Sequence, residues 1–438
     1  LLEKNYDCLV IGGGIAGLYC AKILVNSGKK VALIEKETLG GTALRWGALP
    51  VKIASDYFKN NSEDEFIPYY RKSLNKLEEK IDLLIQKSNL DLFYGEGEFI
   101  DENTFLVGEY LIKASHIVIA TGTSPKSTKE FIIDKEKVIT YKEAANFNQL
   151  KEKIIILGAN VEGVELANVL SKLNKEIILV EKKHLILPDD DFDLTYPIER
   201  DLVENNVTIM TDSEVIKAYT KDDCVEAILK DGSTIVADKL LVTMMNKPNI
   251  PKGVERLNID FDENGIKVDN NFRTTQENIF AIGDVNGKLC MAHAAINQAI
   301  QVAEHIIYSR EIHQNYDNLP RAVFASLEIA GVGINESQIK HDRYKIGICE
   351  FKDTWRAVSK LYVEGFVKVI ADLNDNIMGI WMVGKNVSEY IGLMDLLFKK
   401  KINALDIKRG LIIHPTLNEA VLEAVLNLKE IDKKCTRQ

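Results

Sequence analysis

Six residues, Gly12-Gly-Gly-Ile-Ala-Gly17, stand between two stretches of different pattern. Before them, Tyr6 to Ile11 reads as a buried parallel strand; after them, residues 18–24 repeat apolar side chains at helical spacing. A further strand over 30–34 ends in Glu35. The chemistry this spacing suits is phosphate binding. Gly12 makes the tight turn, Gly14 lets the backbone approach a pyrophosphate, and Gly17 lets helix and strand pack closely. The helix start offers N–H groups and the positive end of its dipole to an anion. Glu35 can accept from a ribose hydroxyl. A glycine-rich turn alone occurs in many loops. The strand, helix, strand and acid around this one are what point to a dinucleotide.

The unit recurs. A strand over 154–157 runs into Gly158-Ala-Asn-Val-Glu-Gly163, then a helix over 164–173, a strand over 176–180, and Glu181. Here the middle glycine is Asn160, at the place where a backbone must come close to phosphate. Asn tolerates unusual φ/ψ better than most residues, so the unit is expected to keep its fold. Gly158, Gly163 and Glu181 would form any NAD(H) site, with Glu181 favouring NAD over NADP. A side chain at 160 would crowd the pyrophosphate.

Elements of this kind need a large α/β framework, and the chain is long enough for about three domains at 438 residues. Apolar residues make up 46% and charged residues 27%, which is the composition of a folded globular protein and not of a disordered one. The net charge of −10 argues against a general nucleic-acid binder, which needs a basic face. No apolar run approaches the ~20 residues of a membrane span, and the start, LLEKNYDCLVIGGG, has no signal-peptide pattern. The expected location is cytoplasmic. Cysteines at 8, 20, 224, 290, 349 and 435 form no CxxC pair and no zinc-like spacing, so no metal site is expected.

Beyond the two glycine turns, the chain resembles the pyridine nucleotide–disulfide oxidoreductase family, with a pattern nearest to dihydrolipoamide dehydrogenase. The resemblance is carried by IGGGIAGLYCA at 11–21, GGTALRWGALPVK at 40–52, GEGEF at 95–99 and IVIATGTSP at 117–125. It continues in LGANVEGVELA at 157–167, FAIGDVNGKLCMAHAA at 280–295, EIAGVGINESQ at 328–338 and HPTLNEA at 414–420. The resemblance implies an α/β protein with two Rossmann-like dinucleotide-binding domains, for FAD and for NAD(P), and an α+β C-terminal dimerisation domain. The expected order is an FAD domain over 1–145, an NAD(P)-like domain over 146–264, a return to the FAD domain over 265–315, and an interface domain over 316–438. The tail from 428 onward is expected to be a mobile end.

The resemblance also implies roles. Gly12, Gly14, Gly17, Glu35, Gly41, Thr42, Lys52, Ala120, Thr121, Gly122, Gly283, Asp284 and Ala292 would hold FAD, with Ala292 and His293 opening a helix towards the flavin. Lys52 would lie near flavin N5 with Glu165 as its ion-pair partner, or the two would be a purely structural salt bridge. His414 and Glu419 would be an acid/base pair serving the partner subunit of a homodimer. Taken alone, Pro415, Thr416 and Glu419 also read as the capped start of a helix.

Two departures bear on function. The family's CxxxxC redox pair falls on Ala43 and Ala48, which can carry neither thiolate nor disulfide. Met245 and Asn246 stand where the family has glycine and arginine near the nicotinamide site. The expected activity is an FAD-dependent oxidoreductase, not a disulfide reductase, passing electrons from NAD(P)H through flavin directly to a small acceptor. The alternatives are a non-catalytic FAD-holding dimer and a flavoenzyme reduced by an electron-carrier protein.

Overall fold

A computed structural model describes residues 1–86, 89–150, 152–313 and 315–433. They fall into two compact units: Leu1–Ile53 with Asp64–Leu150 and Met244–Asn315, and Ala54–Glu63 with Lys151–Thr243 and Tyr316–Gln438. Residues 244–264, grouped from the sequence with the inserted domain, cluster with the first unit. The architecture is the expected α/β one, with two Rossmann-like sheets and an α+β C-terminal part.

The first unit is built around β1 (Leu2–Ile11), followed by α1 (Ile15–Asn26) and β2 (Val31–Glu35). Its sheet continues through β3 (Leu90–Tyr94), β4 (Gly97–Asp101), β5 (Thr104–Val107) and β6 (Tyr110–Ile119), in the order β3-β2-β1-β6-β5-β4. The strand Ile279–Ala281 lies alongside β6. Ile11 sits opposite both Ile34 and Ile119, so three parallel strands end at one level. Cys8, Leu9, Val10 and Ile11 are all buried, as a central parallel strand with both faces covered requires. α1 starts at Ile15, earlier than the apolar periodicity suggests. Its first turn carries the small residues Ala16 and Gly17, which add no apolar stripe.

The second unit repeats the pattern with β7 (Lys153–Leu157), α2 (Val161–Lys172), β8 (Glu176–Val180), β9 (Val207–Met210) and β10 (Lys239–Val242), paired in parallel in the order β9-β8-β7-β10. Its C-terminal part is an antiparallel sheet that includes Glu328–Gly333, Arg343–Glu350, Gly365–Ala371 and Ile377–Gly384. The helix Glu419–Leu426 buries Ala420, Val421, Ala424 and Val425 in its core. The tail departs from expectation. Lys429–Asp432 form a strand antiparallel to Arg343–Ile346. It is short and charged, the form in which a sheet edge avoids further pairing, and so it resembles a loop in sequence. Residues 434–438, with Cys435, lie outside the described residues. Among the described residues no helix is long and apolar enough to cross a membrane.

One buried charge ties the inserted segment to the C-terminal sheet. Lys368 is fully buried, and its Nζ donates to Asp191 at 2.9 Å and to Asp193 at 2.8 Å. Burial acts to raise the Asp191 carboxyl. Lys368 and the N–H groups of Ser337 and Glu336 outweigh it and hold the carboxyl below the ordinary range. Lys368→Ala strands a buried carboxylate and is expected to destabilise the fold by about 3–5 kcal/mol. Because the folded value is depressed, the wild-type contribution is complete above the unfolded Asp value of ~3.9 and is lost as pH falls through the folded one. The gap between wild type and variant in urea unfolding should therefore narrow on acidification. A constant gap down to the acid limb would contradict this assignment.

Candidate functional site

The first glycine turn is held by contacts that only glycine permits. Gly12 has φ +107°, in the left-handed region. A Cβ on Gly17 would lie 1.9 Å from the Gly12 carbonyl oxygen, so helix and strand touch backbone to backbone. Gly14 is the N-cap of α1, with no side-chain cap and no acid in the first turn. A Cβ on Gly14 would meet nothing within 4 Å. Buried Glu35 accepts from the Gly13 N–H at 2.7 Å and, through its other oxygen, from the Glu37 N–H at 2.7 Å. Each carboxylate oxygen keeps a lone pair for a further donor.

Three strand ends meet here. Ala120 N–H donates to Ile11 at 2.7 Å, and Ile282 N–H donates to Ile119 at 2.9 Å. The turns that follow line one cavity with the glycine turn: Gly12, Gly14, Glu35, Gly41, Thr42, Ala120, Thr121, Gly122, Gly283, Asp284 and Ala292. Gly17 lies behind it as the packing glycine. The Thr121 hydroxyl donates to the Asn249 carbonyl at 2.6 Å, and the Asn249 amide donates back to Thr121 at 2.9 Å. Buried Gln298 accepts from the Gly283 N–H at 2.8 Å and from the Asn286 amide at 2.9 Å, fixing the last turn against the helix Ala292–Tyr308. Burial pushes the Asp284 carboxyl up to about 6, with a hydrogen bond from Thr123 opposing it. An uncapped helix N-terminus, an open position beside Gly14 and two carboxyl groups on the cavity wall fit the phosphates and hydroxyls of a dinucleotide.

Ala43 and Ala48 line the same cavity. So do three residues that sequence reading did not assign to it. Trp46 lies under the Lys142 ammonium, 4.3 Å from ring centroid to Nζ, and Lys142 also pairs with Glu37 at 3.3 Å. Cys290 is exposed at the rim. Surrounding protein, and then Asp284, push its thiol up to about 11, so little thiolate exists at neutral pH. Among the described residues lining the cavity, Cys290 carries the one cysteine sulfur. The RWG at 45–47 was a signal for Trp46. Lys142 comes from a distant segment that no local pattern links, whereas Cys290 stands within the motif at 280–295, between Asp284 and Ala292.

The remaining expected residues are placed as follows. Lys52, in the first unit, lies on the helix Ala48–Phe58. Glu165 lies on α2 of the second, buried, and accepts from the Phe324 N–H at 2.9 Å. Glu181 accepts from the Ala159 and Lys183 N–H groups, both at 2.9 Å, as Glu35 does in the first unit. Gly158 and Gly163 make the backbone contact of the second turn, where a Cβ on Gly163 would lie 1.8 Å from the Gly158 oxygen. His414 Nδ1 is 2.6 Å from Glu419, and that hydrogen bond holds the Glu419 carboxyl below the usual range. The His414 ring stands edge-on to exposed Trp355, with centroids 5.6 Å apart. Among the described residues, no cluster of three or more His, Cys, Asp or Glu is placed to hold a metal ion.

Comparison with known proteins agrees with this layout. Residues 6–299 match the model of the pyridine nucleotide-disulphide oxidoreductases, and 319–425 match the dimerisation domain of that family. The dihydrolipoyl dehydrogenase of Bacillus subtilis (strain 168) is 29% identical, over 97% of this chain and 98% of the relative. The dihydrolipoamide dehydrogenase of Chaetomium thermophilum is 30% identical, over 97% of this chain and 91% of the relative. Leghemoglobin reductase of Glycine max is 29% identical over 96% and 87%. The solved Cu(II) complex of the HOCl-induced flavoprotein disulfide reductase RclA from Escherichia coli shares the fold with a TM-score of 0.89, at 23% identity over 97% of this chain and 99% of that one. With the family models covering the two-Rossmann part and the C-terminal sheet alike, the chain belongs to the pyridine nucleotide-disulphide oxidoreductase family.

Proposed function

We propose that this chain is a homodimeric oxidoreductase in which electrons pass directly between bound FAD and a small acceptor, with no protein disulfide between them. FAD is the cofactor of the family to which the chain belongs. The observation that carries the reading is the pair Ala43 and Ala48 on the cavity wall. Thiol–disulfide exchange needs an attacking thiolate and a second sulfur to receive it. Two methyl groups supply neither, and Cys290 is a single thiol held protonated. The flavin, when bound, supplies the one- and two-electron redox chemistry.

The chain's own residues do the rest. The N–H groups at the start of α1 hold the pyrophosphate, Glu35 accepts from ribose, and Asp284 serves the hydroxyls of the linking chain. The N-terminus of the helix Ala292–Tyr308 favours negative charge on the pyrimidine end. Lys52 keeps its expected role in this reading as a cation beside the ring. Alanine methyls at 43 and 48 leave the wall open to a planar acceptor such as a quinone. Glu419 fixes the proton of His414 on Nδ1, which leaves Nε2 to exchange a proton at the partner subunit's site. Exposed Leu393, Leu396, Leu411 and Ile413 give the dimerisation domain an apolar surface to bury.

A second observation favours a reductant other than NAD(P)H, such as an electron-carrier protein. Asn160 uses its side chain to cap the helix that would receive the nicotinamide nucleotide's phosphates. A non-catalytic FAD-holding dimer is the outcome in which no acceptor turns over.

Two results are expected. Gly14→Ala keeps the fold, since its φ of −72° suits any residue and its Cβ meets nothing within 4 Å. FAD retained per chain should nevertheless fall roughly tenfold or more, the effect of about 1.4 kcal/mol. Full FAD content in that variant would remove the pyrophosphate assignment. In the second experiment the FAD-loaded protein is reduced anaerobically with dithionite, then mixed with a soluble quinone, lipoamide or glutathione disulfide. The quinone should reoxidise the flavin and the two disulfides should not, and His414→Asn should slow the quinone reaction by about 100-fold. Rapid reoxidation by either disulfide would defeat the reading.

A further inference from the structure

We infer that Asn160 and Glu162 close the second dinucleotide cleft to NAD(H) and NADP(H), making them the residues that decide which reductant this protein accepts. The inference rests on the family reading of the second βαβ unit and is independent of which acceptor the flavin serves.

The argument is an internal comparison, because the chain carries the same motif twice. The first glycines have φ +107° at Gly12 and +103° at Gly158. The third glycines, Gly17 and Gly163, touch those residues' carbonyl oxygens in the same way. The acids, Glu35 and Glu181, each accept one N–H from inside the turn and one from two residues beyond themselves. The two N-caps have nearly identical backbones, φ −72° and ψ −174° at Gly14 against φ −71° and ψ −176° at Asn160. A side chain at either position therefore leaves the turn in the same direction.

At Gly14 that direction is open space on a cavity wall. At Asn160 it holds a carboxamide with both ends engaged. Its oxygen accepts from the Gly163 N–H at 2.9 Å, and its amide donates to the Thr243 carbonyl at 2.9 Å, beyond the end of β10. One N–H of the first helical turn is already used, and the position that stands open beside Gly14 is filled. Two residues on, Ala16 lines the first cavity, while the matching residue in the second turn is Glu162. A carboxylate in the first helical turn takes the favourable interaction with the dipole and repels a second anion. Each change alone weakens phosphate binding. Together they give the second helix start its own cap and its own anion.

The test is calorimetric titration of the FAD-loaded protein with NADH and with NADPH under anaerobic conditions. Wild type should show no saturable binding up to about 1 mM. Asn160→Gly combined with Glu162→Val should bind at least ~10-fold more tightly than wild type, with FAD content unchanged. Glu162→Gln removes only the charge and should give a smaller gain of the same sign. It serves as the second variant if the double substitution does not fold. Saturable micromolar binding of either nucleotide by wild type overturns the inference. So does a folded, FAD-loaded variant that binds no better than wild type. The acceptor assay uses dithionite and needs no nucleotide, so failure of this inference and failure of the direct-acceptor reading are separate results.

Discussion

A helix that begins in backbone contact with the strand before it has little freedom in what it can do next. In this protein the contact is between Gly17 and the carbonyl oxygen of Gly12, and again between Gly163 and that of Gly158. It fixes the helix axis against the sheet and aims the first N–H groups past the strand's carboxyl end. Those groups must be satisfied by something. Whatever satisfies them, a ligand or the chain itself, determines whether the turn is a binding site or a piece of scaffold. The rest of the first unit follows from leaving that position open. The turns after β6 and after Ile279–Ala281 are brought beside it because their strands end level with β1.

This constraint explains which features were legible in the sequence. The glycines at 12, 14 and 17 announce themselves because no other residue fits the first and third places. Glu35 and Glu181 follow from the length of one helix and one strand. The crowding at Asn160 was also readable, since a side chain stood where a ligand's backbone contact belongs. That the side chain would be a cap was half readable, because Asn three residues before a glycine N–H, with an acid between, is a helix-start pattern. The match of Glu162 to Ala16 follows from the same six-residue spacing; the structure adds that the two N-caps share one backbone conformation.

Other features were invisible for physical reasons. Cys290 lies between Asp284 and Ala292, and a search for cysteine pairs along the chain passes over a single thiol. Lys142 meets Trp46 and Glu37 through contacts that span about a hundred residues, for which no periodicity exists. The strand Lys429–Asp432 has a single apolar residue, Ile431, and so shows no alternation to set it apart from a loop, and its pairing with Arg343–Ile346 depends on an edge built far upstream.

The two glycine turns and the two alanines bear on the same question from opposite sides. In the family pattern, electrons pass between a nicotinamide nucleotide and a disulfide by way of flavin, and each passage needs particular atoms: unencumbered N–H groups for phosphate, and a pair of sulfurs. Here the first turn leaves its helix start uncapped, while the second turn carries its own cap and positions 43 and 48 carry methyl groups. Loss of function without replacement would leave gaps, and the second turn shows none: Asn160 makes two hydrogen bonds of good length where a glycine makes neither. A cap that fits so well stabilises the helix by about 1 kcal/mol. The second Rossmann unit is a packed part of the fold, joined to the C-terminal sheet through buried Lys368. The cavity at the first turn keeps the uncapped helix start that the second turn lacks.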